Sequence, residues 1–198
     1  MQEQQTQKYS ISEYLVFEEN AIEKHEYDNG VITAMSGGTL NHGIIGNNIN
    51  AALNNALAKN KLDCTAINGD VRVWIEQANS FVYPDAMVIC GKIETAKEDK
   101  NAVINPILII EVLSKSTESY DRGDKFHKYA SLPTFKEYVL IDQQKPVIDV
   151  LCREADNHWK MSTKFGLEDE LFFALVNTSI PLSAVYKNVQ DLGKVPFS

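Results

Sequence analysis

The sequence predicts a single α/β domain built around a mixed β-sheet, and three observations carry that prediction. Apolar residues recur at three- and four-residue steps from Asn41 to Asn60, the mark of one long amphipathic helix. Around it lie a turn-closed pair of extended segments, several short apolar runs and a second helical stretch, in the order of a mixed sheet flanked by helices. The chain's 198 residues, 44% of them apolar, suit one domain of roughly 100–200 residues with a buried core. A charged fraction of 23% excludes wholesale disorder and fibrous architectures. Residues 1–9 read as a disordered tail and residues 10–198 as that one domain, with no repeat, linker or low-complexity tract inside it.

Each element has its own reason. Residues 10–20 form a first helix, capped by Ser10 or Ser12, with Tyr14, Leu15 and Phe17 as apolar contacts. Asn29-Gly30 between extended residues is the strongest short hairpin signal. A loop over 36–39 leads to the long helix, whose apolar stripe is Ile44, Ile45, Ile49, Ala52, Leu53, Ala56 and Leu57. Val71, Val73 and Ile75 alternate over a strand at 70–76, while 81–90 and 107–113 are more continuously apolar, as in strands buried on both faces. Residues 92–101 are charged and read as a surface loop. A helix over 117–130 is capped by Ser116 or Thr117 and stops near Pro133. A buried strand over 138–142 precedes a C-terminal antiparallel pair at 146–153 and 159–165, and Ile180-Pro181-Leu182 opens the last segment. Trp74 and Trp159 read as core or sheet-face residues.

A net charge of −8 argues against a bulk electrostatic nucleic-acid binder, though not against a nuclease with a small local patch or a metal. The three cysteines, Cys64, Cys90 and Cys152, contain no C-x-x-C pair and give no disulfide framework, so they read as reduced thiols. No signal peptide is visible, and no apolar run reaches the ~18–20 residues of a membrane span, so a soluble cytoplasmic protein is expected.

Two acids stand inside apolar strands. Glu111 lies within 107–113 and Asp85 within 81–90. An unpaired buried carboxylate costs several kcal/mol, so each needs a partner. If the strands are neighbours the acids converge, and they repel unless one is protonated or a cation lies between them. Hard oxygen ligands favour Mg²⁺ or Mn²⁺. In the purely structural reading each acid caps a strand end and pairs with a nearby Lys or Arg. Pro84 is disfavoured in a central strand and implies a bulge or bend that re-aims Asp85. Farther on, Asp121, Lys125 and Tyr129 are spaced by four and share one helix face. The plain reading of Asp121 and Lys125 is a surface pair worth a few tenths of a kcal/mol.

Pro84-Asp85, Glu111-Val112-Leu113-Ser114 with Ser116-Thr117, Asp121…Lys125…Tyr129 and the run 137–142 together resemble the PD-(D/E)XK nuclease superfamily. More narrowly, with the hairpin at 26–30 and the helix opening at His42, they resemble its Uma-type restriction-endonuclease-like branch, over about residues 10–190. The resemblance implies a restriction-endonuclease-like core, a mixed sheet flanked by helices, with an N-terminal helix and hairpin and a C-terminal antiparallel extension. The superfamily lysine two residues after the second acid is Leu113 here, and the resemblance points instead to Lys125, with Lys115 and Lys128 as competitors. It implies metal held by Asp85, Glu111 and the Val112 carbonyl, and catalysis by Asp85, Glu111, Lys125 and His42. Asp121 and Tyr129 are supporting, and so is Glu26, although a hairpin glutamate is ordinarily solvated. For His42 the alternative is an N-terminal capping or solvated residue.

The implied function is a Mg- (or Mn-) dependent endonuclease hydrolysing DNA. The alternative is a catalytically inactive nuclease-fold module that binds nucleic acid or a protein partner. A homodimer fits the cutting of two strands, and no membrane partner is expected. His25, His127 and His158 show no zinc spacing, and no serine elbow or Walker loop occurs.

Overall fold

The computed structural model describes residues 7–195 of the chain. Most of the tail expected over 1–9 lies outside the described residues. Within it, Tyr9 is fixed rather than loose: its N–H donates to Gly30 O at 2.8 Å and its carbonyl accepts from the Tyr27 hydroxyl.

Helix α1 (Ile11–Asn20) opens with a capping box in which Ser10 and Glu13 satisfy each other's amides. Strands β1 (His25–Asp28) and β2 (Val31–Ala34) form the expected hairpin, with Asn29 and Gly30 both at positive φ. Then come α2 (Leu40–Asn60), β3 (Cys64–Asn68), β4 (Arg72–Ile75), β5 (Ser80–Val82), β6 (Ala86–Cys90), β7 (Ala102–Val103) and β8 (Leu108–Leu113). A helical stretch connects β8 to β9 (Glu137–Asp142). It is made of α3 (Glu118–Tyr120), a π turn (Asp121–Lys125) and α4 (Phe126–Ala130). β10 (Val147–Arg153), β11 (Trp159–Phe165), the hairpin β12 (Glu170–Phe173) and β13 (Thr178–Pro181), and α5 (Leu182–Val185) complete the chain.

Six strands form the central sheet in the order β11-β10-β9-β8-β6-β3, parallel only between β8 and β9. A second, five-stranded sheet runs β2-β1-β5-β4-β7. Period-2 alternation divides the central sheet into two faces. Ala86, Val88, Leu108, Ile110 and Val112 pack under Ile45, Ile49, Leu53 and Leu57 of α2. Met87, Ile89, Ile109 and Leu113 pack on the other side against Val73, Ile75, Val82 and Tyr129. Trp74 is buried with Tyr14 and Phe81, and Trp159 packs on Phe126 and Phe135. Among the described residues no helix is long and apolar enough to cross a membrane.

Four expectations are corrected. The apolar run 81–90 is two strands in different sheets, because Pro84 has no N–H for a ladder and the chain turns there. β3 escaped the pattern because, as a half-buried edge strand, it mixes Cys64, Thr65, Ala66, Ile67 and Asn68 without alternation. The helix over 117–130 contains a π turn. Cys64 and Cys90 stand directly opposite in the β3–β6 register and are joined as a disulfide, leaving Cys152 as the free thiol. Their separation of 26 residues gave no local signal, because strand pairing brings them together.

Candidate active site

The register Ala86↔Ile110 sets Asp85 opposite Glu111 where the β6–β8 ladder ends. By alternation both side chains leave the same face, the one that carries Met87, Ile109 and Leu113. The ladder's end frees the Val112 N–H, which donates to Asp85 Oδ2 at 2.6 Å. In an extended strand the N–H and C=O of one residue share an edge, so the Val112 carbonyl also lies on Asp85's side.

Lys125 comes from the π turn. Among the described residues it is the one lysine in the buried class, and its Nζ lies 2.9 Å from Glu111 Oε1, 3.0 Å from Tyr83 O, 3.5 Å from Glu26 Oε1 and 3.6 Å from Asp121 Oδ1. π turns recur at functional sites, and this one turns both Asp121 and Lys125 inward. Two bonds pin it: the Tyr138 hydroxyl donates to Asp121 O at 3.0 Å, and Arg122 reaches the buried Asp149 at 2.7 Å. Tyr129 donates its hydroxyl to Glu111 Oε1 at 3.0 Å.

Glu26 joins the cluster. Tyr27 and His25 turn into the core, so alternation points Glu26 the other way. Its Oε1 accepts the Tyr83 N–H at 3.1 Å, and its Oε2 accepts the Tyr120 hydroxyl at 3.0 Å. The expectation of a solvated hairpin glutamate is therefore corrected, as is that of a surface Asp121–Lys125 pair. His42, in the first turn of α2 behind the Thr39 cap, sets Nε2 3.2 Å from Asp85 Oδ2, so its side chain is neither a cap nor free in solvent. Lys115 is exposed, and Lys128 turns to Asp28 at 2.9 Å and Tyr120 at 3.2 Å. The structure thus brings together Glu26, His42, Asp85, Glu111, Val112, Asp121, Lys125 and Tyr129. Tyr83 and Tyr120 were missed, because bonds such as Glu26–Tyr120 span 94 residues and no spacing rule reaches that far. The one available hint for Tyr83 was its place directly before Pro84-Asp85.

Four carboxylates face one ammonium and one imidazole. Burial alone would lower the Lys125 ammonium, but Glu111, Glu26 and Asp121 outweigh it and hold the group charged, well above the ordinary lysine range. Burial pushes Glu111 well above the carboxylate range, and the charges of Asp121 and Asp85 push it the same way. Burial likewise raises Asp121, and the hydrogen bond that His42 donates to the Asp85 carboxylate raises His42.

Among the described residues no three of His, Cys, Asp and Glu gather as a metal-binding group. The donor set nonetheless fits a Mg²⁺-like ion. Asp85 Oδ1 and Glu111 Oε2 carry no hydrogen bond among the described residues, excess carboxylate surrounds them, and such ions need only one or two protein carboxylates beside their waters. The cluster opens into a cleft of about 1270 Å³ walled by α2, β3, the loop 35–39 and the start of the β8–β9 connection.

The chain matches a protein family described as "Uma2: Putative restriction endonuclease" over residues 11–180. It is 33% identical over 182 residues to the uncharacterized protein slr1290 of Synechocystis sp., covering 92% of this chain and 93% of that one. It is 32% identical over 171 residues to sll1609 of the same organism, covering 86% and 96%. Among solved structures it resembles "a putative nuclease belonging to DUF820" from Anabaena variabilis, with a TM-score of 0.72 and 15% identity, over 90% of this chain and 97% of that one. At that identity the likeness shows a shared fold.

Proposed function

This chain belongs to the Uma2 family, and from that premise we propose that it is a nuclease using Mg²⁺ or Mn²⁺ to hydrolyse phosphodiester bonds of DNA. One observation carries the reading: the buried Lys125 ammonium rests on Glu111 while Asp85 is tied to the very next peptide, that of Val112. Asp85, Glu111 and the Val112 carbonyl are the groups that would hold the ion. When bound, it supplies a Lewis acid and a water of lowered pKa.

The chain's own residues have distinct tasks. Lys125 keeps its proton because acids surround it, so it serves as a fixed positive charge for a developing phosphoryl oxyanion rather than as a base. Glu26, Asp121 and Tyr83 O hold that ammonium in place. Tyr129 fixes Glu111, and His42 stands over Asp85, where it can donate or accept a proton on the cleft side.

A second reading, a nuclease-fold module that binds without cleaving, is favoured by the net charge of −8 and by a lysine that comes from the π turn rather than from the Glu111 strand. Incubating the protein with supercoiled, linear and branched DNA, with and without Mg²⁺ or Mn²⁺, separates the two. Metal-dependent nicking that Asp85→Asn abolishes supports the nuclease. Binding without cleavage in either ion supports the second reading.

A further inference from the structure

Lys24 and Lys125 are the lysines that line the cleft, and the two differ in what they can reach. Lys125 is buried and ringed by acids. Lys24, just before β1, keeps 43% of its side chain exposed. Its Nζ donates to Gly69 O at 2.8 Å and to Asp70 Oδ1 at 2.7 Å, and lies 5.6 Å from the centre of the Tyr83 ring. The Gly69 anchor is firm. That residue is packed so closely on the Asp85 turn that a Cβ there would sit 3.2 Å from Pro84 O and 3.4 Å from Asp85 O. One bond of Lys24 is thus a fixed carbonyl beside the candidate catalytic aspartate.

The other bond goes to a carboxylate whose side chain is 70% exposed. Asp70 can turn from Lys24 at small cost, since exposed ion pairs are weak, and the Asn68 amide, which donates to its other oxygen at 2.9 Å, is itself exposed. Elsewhere the walls are neutral, with Asn47, Asn50 and Asn54 of α2, or acidic, apart from the His42 imidazole, which is held on Asp85 at 3.2 Å. A phosphate entering this cleft therefore meets one accessible ammonium.

Resting on the nuclease reading, we propose that Lys24 is a phosphate-binding residue for the nucleic-acid strand, masked by Asp70 until a substrate phosphate replaces that carboxylate. Lys24 keeps its bond to Gly69 O throughout and exchanges one anionic oxygen partner for another, with no proton moving. This single contact also accounts for how an acidic protein takes a polyanion: few phosphates are neutralised, so binding responds only weakly to salt.

The test is fluorescence anisotropy with labelled single-stranded and duplex DNA, in EDTA and again in Ca²⁺, across a salt series. Lys24→Gln is expected to weaken binding severalfold and to reduce the slope of log K against log salt by about 0.7–0.9, the loss of one phosphate contact. Asp70→Asn is expected to tighten binding by about 1.4- to 5-fold, the equivalent of an exposed ion pair. In the Lys24→Gln background that gain disappears, because Asp70 acts through Lys24. A gain that persists there means Asp70 acts only through its general charge, and the proposal falls. An unchanged affinity and slope in Lys24→Gln also overturns it and leaves the nuclease reading standing. Wild-type protein that binds neither DNA form under either condition overturns both.

Discussion

Glutamine at position 137 isolates a cost that the fold carries far from the cleft. Glu137 begins β9, is 1% exposed, and among the described residues neither of its carboxylate oxygens has a partner in full hydrogen-bond geometry. Burial raises its pKa from 4.5 to about 7, and the nearby amides of Leu175 and Ala174 counter only part of that. A folded-state value above the unfolded one means the fold binds this proton more tightly. The group's contribution is most favourable below pH 4.5, is lost as pH rises from there to about 7, and stays lost above. A shift from 4.5 to about 7, at about 1.36 kcal/mol per unit, amounts to about 3 kcal/mol. For a chain of this size that corresponds to about 6–12 °C in Tm. Thermal melts of wild type and Glu137→Gln from pH 4.5 to 8, without metal, are expected to diverge by that amount, with the variant gaining as pH rises. Any packing difference of the amide adds a constant offset, so the slope is the quantity to judge. Cys152 gives a second readout. Burial, and then the charge of Glu137, raises its thiol, so the variant's Cys152 reacts faster with a disulfide reagent at pH 8. Parallel melting curves across the whole pH range refute the reasoning.

Three further outcomes are expected. Asp85→Asn and Glu111→Gln shrink the rise in Tm caused by Mg²⁺ or Mn²⁺, and Glu111→Gln, which removes a charge that burial disfavours, leaves the metal-free Tm unchanged or raised; a wild-type protein whose Tm ignores both ions counts against the metal site. Lys125→Met strands Glu111, Glu26 and Asp121 without their counter-ion, lowering stability at pH 8 by about 3–5 kcal/mol and recovering part of it near pH 5 as raised carboxyls protonate; a wild-type-like melt at pH 8 would contradict this. His42 owes its raised pKa to Asp85, so its NMR titration midpoint falls in Asp85→Asn; in wild type the pair's stabilisation is full below the ordinary imidazole range and fades as pH climbs through the raised midpoint.

Much of this was legible because it is local. Ser10 caps α1, Asn29-Gly30 turns the hairpin, and the stripe through Ile45, Ile49 and Leu53 is the buried face of α2. Asp85 and Glu111 were conspicuous because a charge inside an apolar strand demands an explanation. Other features depend on tertiary placement. Glu26 looks like any hairpin acid until β1 packs against β5 and meets Tyr83 and Tyr120. The division of 81–90 between two sheets was hinted at by Pro84, but a proline signals a bend and not where the chain goes next. The Cys64–Cys90 bond is a fact of register, and register is set by pairing partners that periodicity alone does not name.

The π turn over Asp121–Lys125 bears on how this chain should be lined up with others. Its hydrogen bonds close over five residues where an α-turn closes over four, so the turn holds one residue more than the helix on either side. In a related protein whose helix is α throughout, the two halves match only with a gap inside the turn. An alignment forced through without that gap would pair Lys125 with a neighbour of the true counterpart and make the basic group look absent. The same arithmetic governs engineering: deleting Gly123 would swing everything after it by about 100°, carrying Lys125 and Tyr129 away from Glu111 together.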